Sequence, residues 1–127
     1  MNVTWNMFDA AVKDLTAQIK PKVDLFGLDS VYGIPRGGLC LAVALSHSLG
    51  LPLVIRPKPN SLVVDEICDT GKTLRKYTSK GYITATIVNL YEAKVHPTFA
   101  WMNIPTPYVG PHRVWINFPW EVSQHGN

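Results

Sequence analysis

Leu62-Val63-Val64-Asp65-Glu66-Ile67-Cys68-Asp69-Thr70-Gly71-Lys72-Thr73-Leu74 reads as the end of a buried strand, a tight turn and the start of a helix. The three opening residues are apolar and two are β-branched, as a covered strand requires. Two adjacent carboxylates follow, and then the turn Asp69-Thr70-Gly71. In an open parallel α/β sheet, ligands bind just beyond the carboxyl ends of the strands, which is where this turn falls. Backbone N–H groups around Thr70 to Thr73, at a helix start, are donors suited to a phosphate. Asp65 and Glu66 repel such a phosphate. They suit sugar hydroxyls, which donate hydrogen bonds, or a Mg²⁺ ion that keeps most of its water. The pattern points to a phosphorylated sugar together with a divalent cation.

Two other readings compete for the same residues. Gly71-Lys72-Thr73 matches the end of a Walker P-loop, but that motif needs a glycine five positions earlier, and position 66 is Glu. The triphosphate P-loop is therefore rejected. Asp65, Glu66 and Asp69 also fit plain helix-start acids that complement the macrodipole.

A second stretch narrows the choice. Val31-Tyr32-Gly33-Ile34-Pro35-Arg36-Gly37-Gly38 again reads as strand, glycine loop and helix start. Together the two motifs resemble those of the type I phosphoribosyltransferases. Val3-Thr4-Trp5, Ala93-Lys94 and Trp115-Ile116-Asn117-Phe118-Pro119-Trp120-Glu121 extend the likeness to the bacterial xanthine-guanine branch, and spread it from end to end. The acidic motif is its most specific part.

The resemblance implies an α/β fold: a type I phosphoribosyltransferase-like parallel sheet flanked by helices. One domain would span residues 1–127, with a small hood lobe contributed mainly by about 95–122. It implies transfer of the 5-phosphoribosyl group of 5-phosphoribosyl-1-pyrophosphate (PRPP) to a 6-oxopurine (guanine, xanthine or hypoxanthine) in nucleotide salvage. The products would be a nucleoside monophosphate and pyrophosphate, and the cofactor Mg²⁺. In that scheme Asp65 and Glu66 hold the ribose hydroxyls, and meet the metal only indirectly, through those hydroxyls or water. Asp69, Thr70, Gly71, Lys72 and Thr73 complete the PRPP site, with Thr70 to Thr73 on the 5-phosphate. Pro35, Arg36, Gly37 and Gly38 take the pyrophosphate, with Arg36 as a catalytic residue on the leaving charge, and Asp69 acts as general base. Lys94, Trp115 and Ile116 bind the purine: Lys94 at the 6-oxo group, Trp115 by stacking, Ile116 through its backbone. Plain core packing competes for Trp115, and more strongly for Trp120. Asn117 replaces an acid of the bacterial branch, which leaves the choice among 6-oxopurines open. Relatives also carry a non-proline cis peptide before the loop arginine, here Pro35–Arg36, with Ile34–Pro35 as the alternative. A homo-oligomer, dimer or tetramer, is implied as well.

Composition sets the outer bounds. The chain has 127 residues and is 46% hydrophobic, enough for one domain with a sizeable core. Twelve Lys and Arg against nine Asp and Glu give a net charge of +3. That excess suits anionic small molecules and is too weak to argue for nucleic acid. The longest apolar run, Leu39 to Leu45, is too short for a bilayer, and no signal-peptide pattern opens the chain. Cys40 and Cys68 lie in apolar stretches without a disulfide framework, so a reducing cytoplasm is expected. Histidines at 47, 96, 112 and 125 lack the spacing of a zinc site.

Taken in order, Thr4 can cap a helix in which Trp5, Phe8, Val12, Leu15 and Ile19 recur at helical spacing, ended by Pro21. A strand is expected around Val31 to Ile34 and a well-buried helix from Gly38 to Gly50. Leu53 to Arg56 reads as a brief strand. The helix after Thr73 should run to about Lys80, and Tyr82 to Tyr91 is the clearest strand. Beyond Lys94, prolines at 97, 105, 107, 111 and 119 predict an irregular lobe closed by a strand at Arg113 to Asn117, before a frayed tail at Ser123 to Asn127.

One departure from the family stands out. Relatives place a long flexible loop before the acidic motif, whereas here Arg56-Pro57-Lys58-Pro59-Asn60-Ser61 is the whole connection. Two prolines stiffen it, so it cannot fold over a site as a lid. Arg56 and Lys58 form either a cationic stub or a solvated turn. The missing lid keeps alive a second reading: a catalytically weak PRPP- or nucleotide-binding regulatory protein of the same fold.

Overall fold

The computed structural model describes residues 1–121, and the tail expected at Ser123 to Asn127 lies outside them. The chain opens with helix α1 (Trp5–Ile19), whose cap is Thr4: its hydroxyl accepts the Met7 N–H at 3.1 Å. Phe8, Ala11, Leu15 and Ile19 form its buried stripe, while Trp5 at the predicted first position is 53% exposed. Pro21 ends the helix as expected, through a 3-10 turn at Lys20–Lys22 and a short α2 (Val23–Phe26). Strand β1 (Ser30–Gly33), helix α3 (Leu39–Leu49) and strand β2 (Leu53–Val54) follow. Strand β3 (Ser61–Cys68), helix α4 (Lys72–Thr78) and strand β4 (Ile83–Leu90) complete the repeating part.

All five main strands run parallel in the order β2-β1-β3-β4-β5, with β5 at Phe99–Ile104. The sheet is covered on both faces, which is why its strands read as continuous apolar runs. Successive residues of β3 point to opposite sides. Leu62 and Val64 join the larger core with α1 and α3, and Val63 joins the smaller one with Leu74 of α4. The thin cover of α4 is reinforced by Tyr32, Tyr77 and Tyr82, whose rings meet at 6.0–6.1 Å.

The structure revises the sequence reading in three places. Strand β3 does not end at Val64 but continues through Asp65 and Glu66 to Cys68, so both carboxylates sit on the strand itself. Residues 99–104, expected to belong to an irregular hood, form edge strand β5 of the main sheet; its segment lies between Pro97 and Pro105 and contains no proline. The strand expected at Arg113 to Asn117 is reduced to a two-residue hairpin arm. Hairpin β6 (Tyr108–Val109) and β7 (His112–Arg113) stands over the carboxyl ends of the sheet, and Asn117 instead bridges to Asn2. The hood proper is therefore residues 105–121. Val3 donates to the Asn117 carbonyl at 2.8 Å and Asn117 to the Met1 carbonyl at 2.9 Å, tying the hood to the chain's first residues.

Candidate active site

A cleft of about 830 Å³ opens between the carboxyl ends of β1 and β3 and the hood. Pro35, Arg36 and Gly37 form one wall, and Asp65, Glu66 and Asp69 the floor. Arg113, Trp115, Ile116 and Trp120 of the hood form the other side. A smaller pocket of about 220 Å³ lies against Asp65 to Leu74.

The turn after β1 carries a cis peptide at Pro35–Arg36, where the resemblance placed one. Gly37 lies so close to Glu66 that a Cβ there would run into the Glu66 carboxylate. Gly38 plays a different part from the expected one. Its N–H already donates to the Ile34 carbonyl at 2.9 Å, and it packs under Val64, outside the cleft lining. The expected contribution of the Gly38 N–H to an anion site is thus taken up inside the turn.

Asp65 and Glu66 are largely removed from water. Burial raises the Asp65 carboxyl to about 6, opposed by a 2.8 Å hydrogen bond from the Glu66 N–H. Burial raises Glu66 to about 7, with further pressure from Glu121 and Asp65. The Trp120 indole N–H, which donates to Glu66 at 3.2 Å, acts in the opposite sense. Among the described residues the ion pairs are Lys58–Asp29 and Arg113–Asp69, so neither Asp65 nor Glu66 has a cation from the chain. That is the condition in which a carboxylate pair accepts hydroxyl donors or a hydrated cation. No group of three or more His, Cys, Asp or Glu capable of holding a metal occurs among the described residues.

The loop after β3 closes tightly. Gly71 caps α4 at φ +87°, and a Cβ there would meet the backbone of Val95. The Lys94 N–H donates to the Thr70 carbonyl at 2.9 Å, and the Cys68 thiol to the Val95 carbonyl at 3.1 Å. Burial is the main reason the Cys68 thiol is pushed up to about 11, which makes it a packing group. Thr73 reaches both pockets. Lys94 braces the loop through its backbone; the residue is exposed and is not part of the cleft lining.

Asp69 is engaged by a residue that the sequence reading had placed only as a strand start. Arg113 Nη2 lies 2.7 Å from both carboxylate oxygens of Asp69. The same guanidinium stands over the Trp115 ring, 5.2 Å from its centroid, and this contact with Asp69 is the first reason Arg113 holds its proton more tightly than usual. Its position two residues before Trp115 was the available signal. Trp115 is 48% exposed and lines the cleft, whereas Trp120 packs with Trp5, Phe8 and Phe118 as well as reaching Glu66. Core packing thus describes most of Trp120 and little of Trp115.

Neither a protein-family model nor a curated protein matches the sequence. Solved structures do match. A purine phosphoribosyltransferase from Pyrococcus horikoshii Ot3 superposes with a TM-score of 0.76 at 26% identity, over 97% of this chain and 94% of that one. The Helicobacter pylori xanthine-guanine-hypoxanthine phosphoribosyltransferase gives 0.71 at 23%, over 95% and 92%. The Schistosoma mansoni hypoxanthine-guanine phosphoribosyltransferase in complex with IMP gives 0.64 at 18%, over 81% and 67%. The parallel sheet flanked by helices is therefore the type I phosphoribosyltransferase fold.

Proposed function

We propose that the protein is a Mg²⁺-dependent purine phosphoribosyltransferase, which transfers the 5-phosphoribosyl group of PRPP to a 6-oxopurine and releases pyrophosphate. The observation that carries this reading is the single cleft in which Arg36 and Gly37, the desolvated Asp65–Glu66 pair, Asp69 and Trp115 all meet. In the reaction the bond from ribose C1 to pyrophosphate breaks and a bond from C1 to a purine ring nitrogen forms. Positive charge builds on the sugar ring meanwhile, as in other glycosyl transfers. The chain's part is to position the reactants and stabilise the departing anion.

Asp65 and Glu66 accept hydrogen bonds from the ribose hydroxyls, Arg36 and the Gly37 backbone meet the pyrophosphate, and Thr70 to Thr73 hold the 5-phosphate. Mg²⁺, if bound, would be held near Asp65 and Glu66 through water or the ribose hydroxyls and would supply positive charge to offset the departing anion. Asp69 takes the proton that the purine loses, and Trp115 offers its ring to the base. No helix among the described residues is long and apolar enough to cross a membrane.

The test is direct: protein, Mg²⁺ and PRPP are mixed with guanine, xanthine, hypoxanthine or adenine, and nucleotide is measured. We expect slow but measurable formation from 6-oxopurines. The short connection Ile55–Asn60 favours a second reading, because it leaves the cleft without a lid. Tight PRPP binding with no nucleotide from any base would replace the enzyme with a PRPP-binding regulator.

A further inference from the structure

From the pairing of Arg113 with Asp69 above Trp115, we infer that Arg113 is the specificity-determining cation of the base subsite. It reads the 6-oxo group, the task that sequence resemblance gave to Lys94. The inference deepens the proposed function and rests on its placement of the purine beside Asp69 and Trp115.

The geometry supplies what a 6-oxopurine edge needs. A 6-oxopurine carrying its proton on N7 presents a donor, N7–H, next to an acceptor, O6. Asp69 is an acceptor with lone pairs beyond those used by Arg113. Arg113 has five N–H donors in a planar fork, and its Nη2 contacts with Asp69 leave Nε and Nη1 to serve other acceptors. Acceptor and donor thus stand side by side in the order that N7–H and O6 require. An arginine N–H suits the O6 acceptor of this edge, while the N7–H proton faces Asp69. Adenine carries an amino donor where O6 would be, which would aim N–H groups at a permanent cation. A site built around a hydrogen bond rejects the analogue that leaves its own group unpaired.

Position favours Arg113 over Lys94. Arg113 and Trp115 line the cleft with Asp69, and Asp69 and the Trp115 ring fix the guanidinium. Lys94 is absent from that lining, and its backbone is committed to the loop at Thr70.

The experiment compares the native chain with Arg113→Met, Arg113→Lys and Lys94→Met. Two quantities are read: kcat/KM for hypoxanthine against adenine with PRPP and Mg²⁺, and calorimetric affinity for IMP against AMP. Arg113→Met should lower both preferences by about tenfold or more, the order of a single hydrogen bond from a charged group. Arg113→Lys, which keeps the charge but not the fork, should recover only part. PRPP affinity should be unchanged in all variants, marking an intact donor site. Lys94→Met should move either preference by no more than about twofold, the scale of an exposed charge.

Native protein that binds IMP and AMP equally overturns the inference. So does an Arg113→Met protein that binds PRPP normally and keeps its preference, or binds IMP more tightly, which would make Arg113 a competitor of the base. A larger change in Lys94→Met than in Arg113→Met also overturns it. If no base yields nucleotide but the IMP preference is present and falls in Arg113→Met, the enzyme reading fails while the role of Arg113 stands.

Discussion

Residues 62–74 and residues 105–121 face one cleft but reach it in different ways. The first segment is a strand, a turn and a helix start in unbroken succession, so its path is set by regular elements, with Thr70 and Cys68 tied in addition to Lys94 and Val95. The second has only a short hairpin of its own, and it is held by partners at the chain's start, at Glu66 and at Asp69. On the proposed function, the donor half is thus built mainly on regular elements and the base half mainly by contacts between residues far apart in the chain. A change in the first should damage PRPP binding or folding. A change in the second should damage choice of base and turnover while the donor site survives.

The sharpest division should come from Asp69, which belongs to the first segment by sequence and to the second by its bond to Arg113. Asp69→Asn removes a carboxylate acceptor and weakens the hold on Arg113. Nucleotide formation should fall roughly 10²-fold or more through lost general-base catalysis. PRPP affinity by calorimetry should change little. An equal loss in both would place Asp69 wholly in the donor half and erase the distinction there.

Next in size is the donor half itself. Asp65→Asn with Glu66→Gln should weaken PRPP binding tenfold or more, because hydrogen bonds to charged groups contribute about 1.5–3 kcal/mol each. Undiminished affinity in a folded double variant would falsify the assignment. The same pair predicts an opposite effect on stability. Both carboxyls are raised above their ordinary values of 3.8 and 4.5, to about 6 and about 7. Their contribution to stability is therefore complete below the ordinary values and is lost as pH rises through about 6 to 7. Above that range the fold carries two desolvated charges, so the double variant should melt higher than native protein at alkaline pH. Allowing for partial exposure, the gain is about 1 kcal/mol, or roughly 3–6 °C. PRPP affinity of the native chain should rise over the same pH range as the carboxylates ionise, and a flat profile would count against their role.

Gly71→Ala asks whether the donor loop depends on its backbone alone. A side chain at φ +87° against Val95 should cost on the order of 1–3 kcal/mol in chemical denaturation. A neutral result would mean that the loop adapts. The smallest effect is expected for Trp120→Phe, which keeps an aromatic ring beside Phe118 and Phe8 but removes the donor to Glu66. Loss of one hydrogen bond should cost about 1 kcal/mol. The Glu66 carboxyl should titrate higher still, because that N–H is the contact drawing it down. Unchanged Glu66 titration, followed by carboxyl NMR, would detach the hood from the donor half.

The elements that repeat were legible for simple reasons. Thr4, Pro21, Gly50 and the apolar spacing of α1 and α3 act within one or two turns of chain, and the structure places those helices at the positions read. Helix α3 is not the well-buried helix expected, however: only Leu41, Ala42 and Leu45 are buried, while Leu39 and Val43 are 43% and 44% exposed. The parallel sheet followed from strands covered on both faces, whose apolar runs leave little alternation. The same lack of alternation hid the extent of β3 and the existence of β5. Asp65 and Glu66 look like a strand's end because carboxylates seldom sit on a central strand, and here the open cleft is what accommodates them. Phe99 to Ile104 was masked by flanking prolines, although only its pairing with β4 makes it a strand.

What the sequence determined by itself was the set of groups that lie together along the chain: the acidic pair, the Gly71 turn, the Arg36-Gly37-Gly38 turn and the short connection before β3. What the tertiary structure alone decided was which side chains share space. It spent the Gly38 N–H on Ile34, turned Lys94 into a backbone brace, joined Trp120 to Glu66 and set Arg113 against Asp69. Those contacts join residues that local periodicity does not relate. A hydrogen bond forms only within about 3 Å, and nothing short of the folded path of the chain specifies which distant groups come that close.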